Sequence, residues 1–481
     1  MPNDALPGNP RYQPSSLKPI FGYDNLYVPV GEVEIATLQT LAEIGLIPEA
    51  DVAYLTDKVI KQVLSITTTE VDEVERAVTH HDIRAWVHCA QKHLGSLGRW
   101  VHIPLTSYDA LDTARSLQFA RAHQQALKPL VEHLIRILCE KVRAFADLRQ
   151  IGRTHGQHAL PITVGFWLAT ILNRVLYNIG QMDYFARGLV GKVSGAVGAH
   201  NAQIGLGIAA HCGNTSFEER VLHKLGLNLA PISTQILPPE PLAYYLYSAC
   251  MLSAVLAQFG RDCRHLMRSE IGEICEPFEA GQVGSSTMAH KRNPINFENL
   301  EGMWERNIGE FVKVLLTMIS EHQRDLTSSP VARDFPIIIV NLVQQLETLL
   351  RTKRDKDGKP VEGSEFLRRI TVNERALKRN MDMNAGVILA EPLYLALQIF
   401  GGYDDAHTLI NERVMPIAQS YGDLLSAVAC IAGRDPEVKA ALKKIPSDIM
   451  DILYHPHEYV GDAPQKALAI ADEGMKYLLA E

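Results

Sequence analysis

The hydrophobic positions of this chain recur with the spacing of an α-helix over most of its length. The clearest case runs from Thr113 to Leu148, where apolar residues three or four positions apart form one face. The members of this face are Leu127, Val131, Leu134, Leu138, Val142 and Phe145. Pro129 lies inside the segment and predicts a kink. Further long helices are predicted near residues 164–187, 240–270, 296–322 and 331–352.

No segment of useful length alternates between apolar and polar residues as a strand would. We therefore predict an all-α protein with three helical domains and a long central helix bundle. The predicted ranges are an N-terminal helical domain at 1–110, the bundle domain at 111–366 and a C-terminal helical domain at 367–481. Helices with such broad apolar faces also predict an oligomer. The charged, Gly- and Pro-containing run 351–360 predicts an exposed loop.

Composition and charge narrow the classes of partner. Of the 481 residues, 47% are hydrophobic and 21% charged, which is typical of a soluble protein. The net charge of −8 argues against nucleic-acid or membrane partners, although a few local arginines would suffice for a small anionic substrate. The apolar stretch 244–260 is short for a membrane span and contains Ser248, Ser253 and Gln258, which favours a buried bundle helix.

The cysteines and the N-terminus predict a cytoplasmic protein. No Cys-x-x-Cys occurs, and the seven scattered cysteines predict neither a zinc site nor a disulfide framework. Reduced thiols are the expectation. The first residues lack the basic and apolar regions of a secretory signal.

The most informative segment is 284–294, which reads Gly-Ser-Ser-Thr-Met-Ala-His-Lys-Arg-Asn-Pro. Small residues let the backbone approach a ligand closely, and Lys291 supplies a positive charge. Pro294 can open a helix whose N-terminal amides also favour anions. The segment therefore predicts an anion-binding loop.

This string resembles the Gly-Ser-Ser-x-Met-Pro-x-Lys-x-Asn-Pro signature of the fumarase/aspartase superfamily, with Ala289 in place of the usual proline. That superfamily eliminates fumarate, or a near relative, from succinyl-type substrates. The His-Lys-Arg-Asn-Pro ending is most similar to its adenylosuccinate lyase branch. The resemblance implies a three-part all-α subunit with a signature loop at 281–294. It also implies a homotetramer in which each active site is drawn from three subunits.

Four further segments resemble superfamily motifs in the same order. Taken alone, the first two also fit helix caps, and the last also fits a set of surface charge pairs. The segments are Thr79-His-His-Asp-Ile-Arg84, Thr106-Ser-Tyr-Asp-Ala-Leu-Asp-Thr-Ala114, Gly152-Arg-Thr-His-Gly-Gln-His-Ala-Leu-Pro-Ile-Thr-Val-Gly165 and Arg324-Asp-Leu-Thr-Ser-Ser-Pro-Val-Ala-Arg333.

The resemblance implies a role for particular residues. Ser285 would be the base and His155 the general acid, with Glu298 orienting His155 and Lys291 holding the carboxylate on which charge develops. Substrate-binding positions would be Arg11, Tyr12, His81, Asp82, Thr106, Ser107, Thr154, Gln235, Ser286, Asn293, Arg324, Ser329 and Arg333. Within that set, Arg324, Ser329 and Arg333 resemble a phosphate site. No step requires a metal or an organic cofactor.

The implied reaction is cleavage of adenylosuccinate to AMP and fumarate, and of the analogous succinyl-carboxamide ribotide. An argininosuccinate-type or other specialised C–N lyase is the alternative within the superfamily. The cycloisomerase branch shares His-Lys-Arg-Asn-Pro but should lack the complete phosphate set. A helical homologue without catalysis is a third hypothesis, for which Ala289 is the only support.

Overall fold

The computed structural model describes residues 2–278, 287–288 and 290–479. It is 65% helical with little strand, which confirms the all-α prediction. The predicted long helices are present, with ends that differ from the predictions by up to six residues. Their bounds are Val164–Arg187, Glu240–Leu266, Ile295–Leu316 and Pro336–Leu350.

The helical segment around Pro129 has three consecutive parts. An α-helix at Ser107–Arg121 continues as a π-helical segment at Ala122–Leu127 and then as an α-helix at Lys128–Ala144. Proline has no N–H and its ring crowds the preceding turn, so a wider turn just before Pro129 relieves the conflict. The predicted irregularity thus takes the form of a π segment.

The backbone divides into two compact units, and the first comprises Met1–His133, Tyr177–Ala257 and Asn299–Leu350. Its N-terminal core packs around the fully buried indole of Trp86. The strands Val190–Gly191 and Asn228–Leu229 pair in parallel. Its further α-helices are Lys18–Phe21, Val28–Glu43, Glu49–Val52, Asp57–Leu64, Thr68–Val74, Asp82–Leu94, Asn201–Gly205, Phe217–Leu225 and Ser328–Ala332.

The second unit comprises Leu134–Leu176, Gln258–Glu298 and Arg351–Glu481. The strands Arg149–Thr154 (β1) and Gln157–Thr163 (β2) form an antiparallel hairpin, which the hydrophobic pattern does not predict. Ile274–Cys275 pairs antiparallel with Thr371–Val372. Its further α-helices are Phe366–Arg369, Glu374–Met383, Ala390–Ile399, Ala406–Thr408, Met415–Tyr421, Leu424–Ala432, Pro436–Lys444, Ser447–Tyr454 and Ala463–Leu479. The three-domain division stays a prediction.

The apolar helix Glu240–Leu266 is long enough to cross a membrane, but 67% of its most apolar window is buried within the fold. The hydroxyl of Ser253 on this helix has a hydrogen-bond partner there. Ser253 Oγ donates to Oε1 of Gln345 at 2.6 Å, and Nε2 of Gln345 donates to the Leu300 carbonyl at 2.6 Å. Such internal pairing is expected of a buried bundle helix, as predicted.

Two smaller predictions are also confirmed. All seven cysteines carry free thiols. In the charged run 351–360, every residue except the half-buried Thr352 is exposed, and the backbone N–H of Asp355 donates to the Lys359 carbonyl in a local turn.

Candidate active site

Arg324 is held by two residues from distant parts of the sequence. Its guanidinium carbon lies 3.5 Å from the centroid of the Tyr108 ring. Its Nη1 donates to Oε1 of Gln235 at 2.9 Å. A planar guanidinium that stacks on an aromatic face keeps its in-plane donors directed outward from the ring. The contacts therefore fix both the position and the plane of Arg324.

The remaining donors of Arg324 have no acceptor. Nε and Nη2 are buried and lack a hydrogen-bond partner among residues 2–278, 287–288 and 290–479. Buried polar groups are almost always paired, so two unpaired donors on one cation indicate a site for an acceptor that is not part of the chain. Two adjacent N–H groups of a guanidinium match the oxygens of a phosphate or carboxylate.

Ser329 and Arg333 lie one helical turn apart at the short helix Ser328–Ala332. Arg333 Nη1 is 3.4 Å from Ser329 Oγ, and its Nη2 is 3.8 Å from Asp82 Oδ2. Ser329, Arg333, Asp82 and Tyr108 all line one cavity of 540 Å³. The structure thus brings most of the predicted phosphate set to the wall of a single cavity.

His81 and Asp82 begin the helix Asp82–Leu94. The Nδ1 atom of His81 accepts the N–H of Arg84 at 3.4 Å, so His81 is the N-cap. His81 Nδ1 is also 3.3 Å from Asp82 Oδ1. His81 is exposed and Asp82 lines the cavity, which leaves both available to a ligand.

Thr106 and Ser107 are half-buried at the start of the helix Ser107–Arg121. Asp109 holds them in place from within. Its buried carboxylate accepts the N–H of Thr106 at 2.8 Å and of Ser194 at 3.0 Å, and it pairs with the buried Lys192. The aspartate of this motif is therefore a structural anchor, while the hydroxyls beside it remain partly open.

Asp112 positions the segment that carries Gln235. Its Oδ2 accepts the N–H of Leu237 at 2.9 Å, and its Oδ1 pairs with Arg115 at 2.9 Å. The motif of residues 106–114 thus anchors two other segments: Asp109 binds the backbone at Ser194, and Asp112 binds the backbone at Leu237.

Arg11 and Tyr12 stand apart from that set. The Tyr12 ring lies 5.0 Å from the guanidinium of Arg306, and Arg11 is exposed. No hydrogen bond or ion pair joins either residue to Arg324 or Arg333 in the described part of the chain. Their assignment stays a prediction.

Sequence reasoning missed His102, which lies just before the Thr106 motif. Its ring Nδ1 is 2.6 Å from Oε1 of the buried Glu34, and its backbone N–H donates to Glu34 Oε2 at 2.9 Å. Burial lowers the pKa of His102, but the hydrogen bond and charge of Glu34 outweigh it, and the net shift is upward. A φ of 65° marks the residue as unusual, and no sequence pattern signals that conformation.

His155 occupies the tip of the β1–β2 hairpin. Thr154 pairs with Gln157, so His155 and Gly156 form a two-residue loop. Both have positive φ, 53° and 76°, as a type I′ turn requires. Glycine adopts this conformation freely, whereas a histidine there carries strain, which is a feature common at functional sites. Thr154 and His155 are both exposed.

Glu273 fixes the base of the same hairpin. Its carboxylate is fully buried and pairs with Arg153 at 2.6 Å. It also accepts from Gln150 at 2.9 Å and from Asn380 of the helix Glu374–Met383 at 2.7 Å. Each donor satisfies part of a charge that would be costly to bury alone. The position of the hairpin is therefore tied to a single carboxylate.

Glu298 is exposed in the first turn of the helix Ile295–Leu316, as the Pro294 helix start predicts. Glu276 caps this helix by accepting the N–H groups of Asn296 and Phe297, each at 2.9 Å. Burial raises the pKa of Glu276 against the opposing effect of these bonds. Within the described part of this one chain, Glu298 and His155 share no hydrogen bond.

Lys291 is exposed and Asn293 half-buried just before that helix. Ser285, Ser286 and Ala289 lie outside the described residues. The roles of Ser285 as the base and of Ser286 as a substrate ligand therefore stay predictions.

Comparison with known proteins identifies the family. A lyase family matches residues 24–309. An adenylosuccinate lyase of Pyrococcus abyssi is 32% identical over 457 residues, covering 94% of each chain. One from Bacillus subtilis is 32% identical over 450 residues, covering 92% of this chain and 96% of its own. The chain belongs to the adenylosuccinate lyase family.

A solved structure shows the same fold. The 3-carboxy-cis,cis-muconate lactonizing enzyme of Pseudomonas putida superposes with a TM-score of 0.76 at 24% identity, covering 97% of this chain and 98% of its own. At that identity the likeness concerns the fold. The adenylosuccinate lyase family assignment rests on the sequence relatives.

Proposed function

We propose that this protein is a C–N lyase that cleaves adenylosuccinate to AMP and fumarate, and the succinyl-carboxamide ribotide to its carboxamide and fumarate. Family membership supports the reaction type. The unpaired donors of Arg324, beside a cavity shared by Ser329 and Arg333, are the observation that carries the substrate class. A phosphomonoester dianion is the group that two guanidiniums and a hydroxyl suit best.

The elimination requires removal of a poorly acidic proton, stabilisation of the resulting carbanion and protonation of the leaving nitrogen. Ser285 removes the proton next to a succinyl carboxylate, and Lys291 and Asn293 hold that carboxylate as negative charge develops on it. The C–N bond then breaks, and His155 gives a proton to the leaving nitrogen. Glu298 favours the protonated form of His155 and fixes its orientation.

The other contacts hold the two ends of the substrate. Thr106 and Ser107 offer hydroxyls at a helix N-terminus, where the helix amides favour a second carboxylate. Gln235 and Thr154 orient the substrate, with Ser286, His81 and Asp82 at the edge of the site. Arg11 and Tyr12 add a further phosphate contact. The reaction uses no metal or organic cofactor in this proposal.

A homotetramer completes the site. Exposed aromatic and aliphatic side chains follow the long helices, where solvent contact is unfavourable and a second helical surface would bury them. They include Tyr177, Tyr184, Tyr244, Tyr247, Val312, Leu315, Leu316 and Ile319. Packing of central helices from several subunits would bring His155 of one chain to the Glu298 of another. We place this assembly in the cytoplasm, with a nucleotide as its only substrate class.

The deciding experiment is a spectrophotometric assay of the purified protein with adenylosuccinate and, in parallel, argininosuccinate. We expect cleavage of adenylosuccinate alone. Cleavage of argininosuccinate alone would assign the protein to the alternative branch, and inactivity toward both would support a non-catalytic homologue.

A further inference from the structure

Glu276 binds residues that lie on the far side of the predicted signature loop. It precedes the loop at 281–294, and its partners follow the loop in the helix Ile295–Leu316. Oε1 of Glu276 accepts the backbone N–H groups of Asn296 and Phe297, each at 2.9 Å, and Oε2 accepts Nδ2 of Asn296 at 2.7 Å. One carboxylate thus joins two points that are 20 residues apart in the chain.

The side chain of Asn296 is bound at both of its ends. Nδ2 donates to Glu276, and Oδ1 accepts from Nη2 of Arg351 at 3.1 Å. The amide cannot turn over, because its nitrogen would then face the donor of Arg351. Glu276 is only 7% exposed, and its three hydrogen bonds compensate the burial of its charge. These contacts select one orientation for the start of the helix.

The residues just before Glu276 are also fixed within the second unit. The strand Ile274–Cys275 pairs antiparallel with Thr371–Val372. Glu273 holds the β1–β2 hairpin through Arg153 at 2.6 Å. The segment 273–276 therefore supports both the hairpin that carries His155 and the helix that carries Glu298.

Three predicted site residues lie close in sequence to the helix start that Glu276 binds. Lys291 and Asn293 come just before the helix, and Glu298 lies in its first turn. Arg292 makes a second contact across the loop, with its guanidinium carbon 4.8 Å from the centroid of the Phe278 ring. A shift of the helix start would therefore displace these site residues together.

We propose that Glu276 is a positioning residue for the elimination, which sets the places of Lys291, Asn293 and Glu298 by binding the start of the helix beside them. This inference rests on the proposed lyase function. Glu276 does not contact the substrate, because it is buried and three donors occupy its carboxylate. A misplacement of about 1 Å among reacting groups can lower a rate roughly a hundredfold. Loss of Glu276 should therefore lower kcat more than it raises KM.

Steady-state kinetics of Glu276→Ala with adenylosuccinate tests the proposal, with kcat expressed per folded enzyme from circular dichroism at the assay temperature. We expect kcat to fall roughly tenfold to a hundredfold and KM to stay within roughly threefold. Asp423→Asn is the matched control. Asp423 also accepts two N–H groups at the start of a helix, those of Leu425 at 3.3 Å and Ser426 at 2.8 Å, but its helix carries no predicted site residue. Its kcat should stay within roughly twofold even where its stability falls.

A reversal of hydrogen-bond roles gives a second test that does not require removal of the side chain. Glu276→Gln places an amide nitrogen against Nδ2 of Asn296, so two donors meet, and Asn296→Asp places two carboxylates together. Each change alone should lower kcat roughly tenfold. In the double variant the new amide can donate to the new carboxylate, which also keeps its bond from Arg351. We expect kcat to recover to within roughly threefold of the unaltered protein.

The outcomes separate this inference from the proposed function. An unaltered protein that does not cleave adenylosuccinate would contradict the proposed function. Given an active parent, three results would each overturn the role of Glu276 alone. They are a kcat in folded Glu276→Ala no lower than that of Asp423→Asn, a rise in KM without a fall in kcat, and a double variant in which the two losses simply add. If Glu276→Ala does not fold, the role-reversal variants decide the question.

Discussion

The guanidinium of Arg324 stacks on the ring of Tyr108, with 3.5 Å between the guanidinium carbon and the ring centroid. The stack joins the helix after Thr106 to the loop that precedes Ser329, and it leaves two donors of Arg324 unpaired. Tyr108 is not among the site residues predicted from the sequence, so only the structure assigns it a role. Its role would be to hold in place the guanidinium that binds the substrate phosphate.

Substitution of Tyr108 should therefore affect substrate binding more than turnover. We expect Tyr108→Leu to raise KM for adenylosuccinate roughly threefold to tenfold, because it loses the cation–π contact while keeping an apolar side chain. Tyr108→Phe keeps the ring and should stay within roughly twofold of the unaltered protein. Steady-state kinetics of the two variants measures the difference, and identical KM values would refute the role of the stack.

Removal of either arginine of the predicted phosphate site should raise KM without a matching fall in kcat. Arg324→Ala and Arg333→Ala each remove a charge-assisted contact of roughly 1.5–3 kcal/mol. Arg324→Lys keeps the charge but loses the fork and the stack, and should recover only part of the affinity. Arg434→Ala, an exposed arginine of the second unit, serves as a control. An unchanged KM in all three variants would contradict the phosphate assignment.

Ser285 and His155 should be needed for turnover and dispensable for folding. We expect Ser285→Ala and His155→Ala to lower kcat at least roughly a hundredfold. His155→Gly and His155→Asn are the sharper variants, because both residues accept the positive φ of the hairpin tip. They should be at least as stable to heat as His155→Ala and just as inactive. Near-normal turnover in any of these would remove its residue from the mechanism.

If each active site is shared between subunits, mixing two inactive variants should restore part of the activity. If His155 and Ser285 of one site come from different chains, some hybrid tetramers of Ser285→Ala and His155→Ala contain sites with both residues intact. We expect partial activity after subunit exchange. The control is a mixture of Ser285→Ala with itself under the same conditions. Failure to complement despite proven exchange, or full activity of a monomer by light scattering, would contradict the tetramer.

The His102–Glu34 pair should make stability depend on pH. Because the folded-state pKa of His102 is raised, its contribution is fully present below the ordinary value of about 6.5 and is lost as pH rises through the raised value. We expect the free energy of unfolding of His102→Asn to fall furthest below the unaltered protein near pH 6 and to approach it near pH 9. Asparagine tolerates the positive φ, so backbone strain does not dominate. Denaturant titrations at both pH values measure the difference in free energy of unfolding between the two proteins. A difference that does not change with pH would refute the charge pairing.

The long helices were accessible from sequence because their burial repeats every three to four residues, and Val164–Arg187 has the predicted bounds. The β1–β2 hairpin could not be predicted from the sequence, because its strands are short and its turn uses His155-Gly156 in place of the more common Asn-Gly. The contacts of Arg324 with Tyr108 and Gln235 join segments far apart in the chain. Sequence patterns report neighbours along one element, so they do not reveal which distant side chains meet.

The single carboxylate of Glu273 has a consequence for genetic screens. Variants of Glu273, Arg153 or Asn380 would displace the hairpin tip while touching no substrate. A selection that scores only growth would group them with variants of His155, as if all were reacting groups. The sensitivity of such positions to substitution would measure how the proposed proton donor is positioned, so maps of intolerance to mutation in this family should extend well beyond the reacting groups.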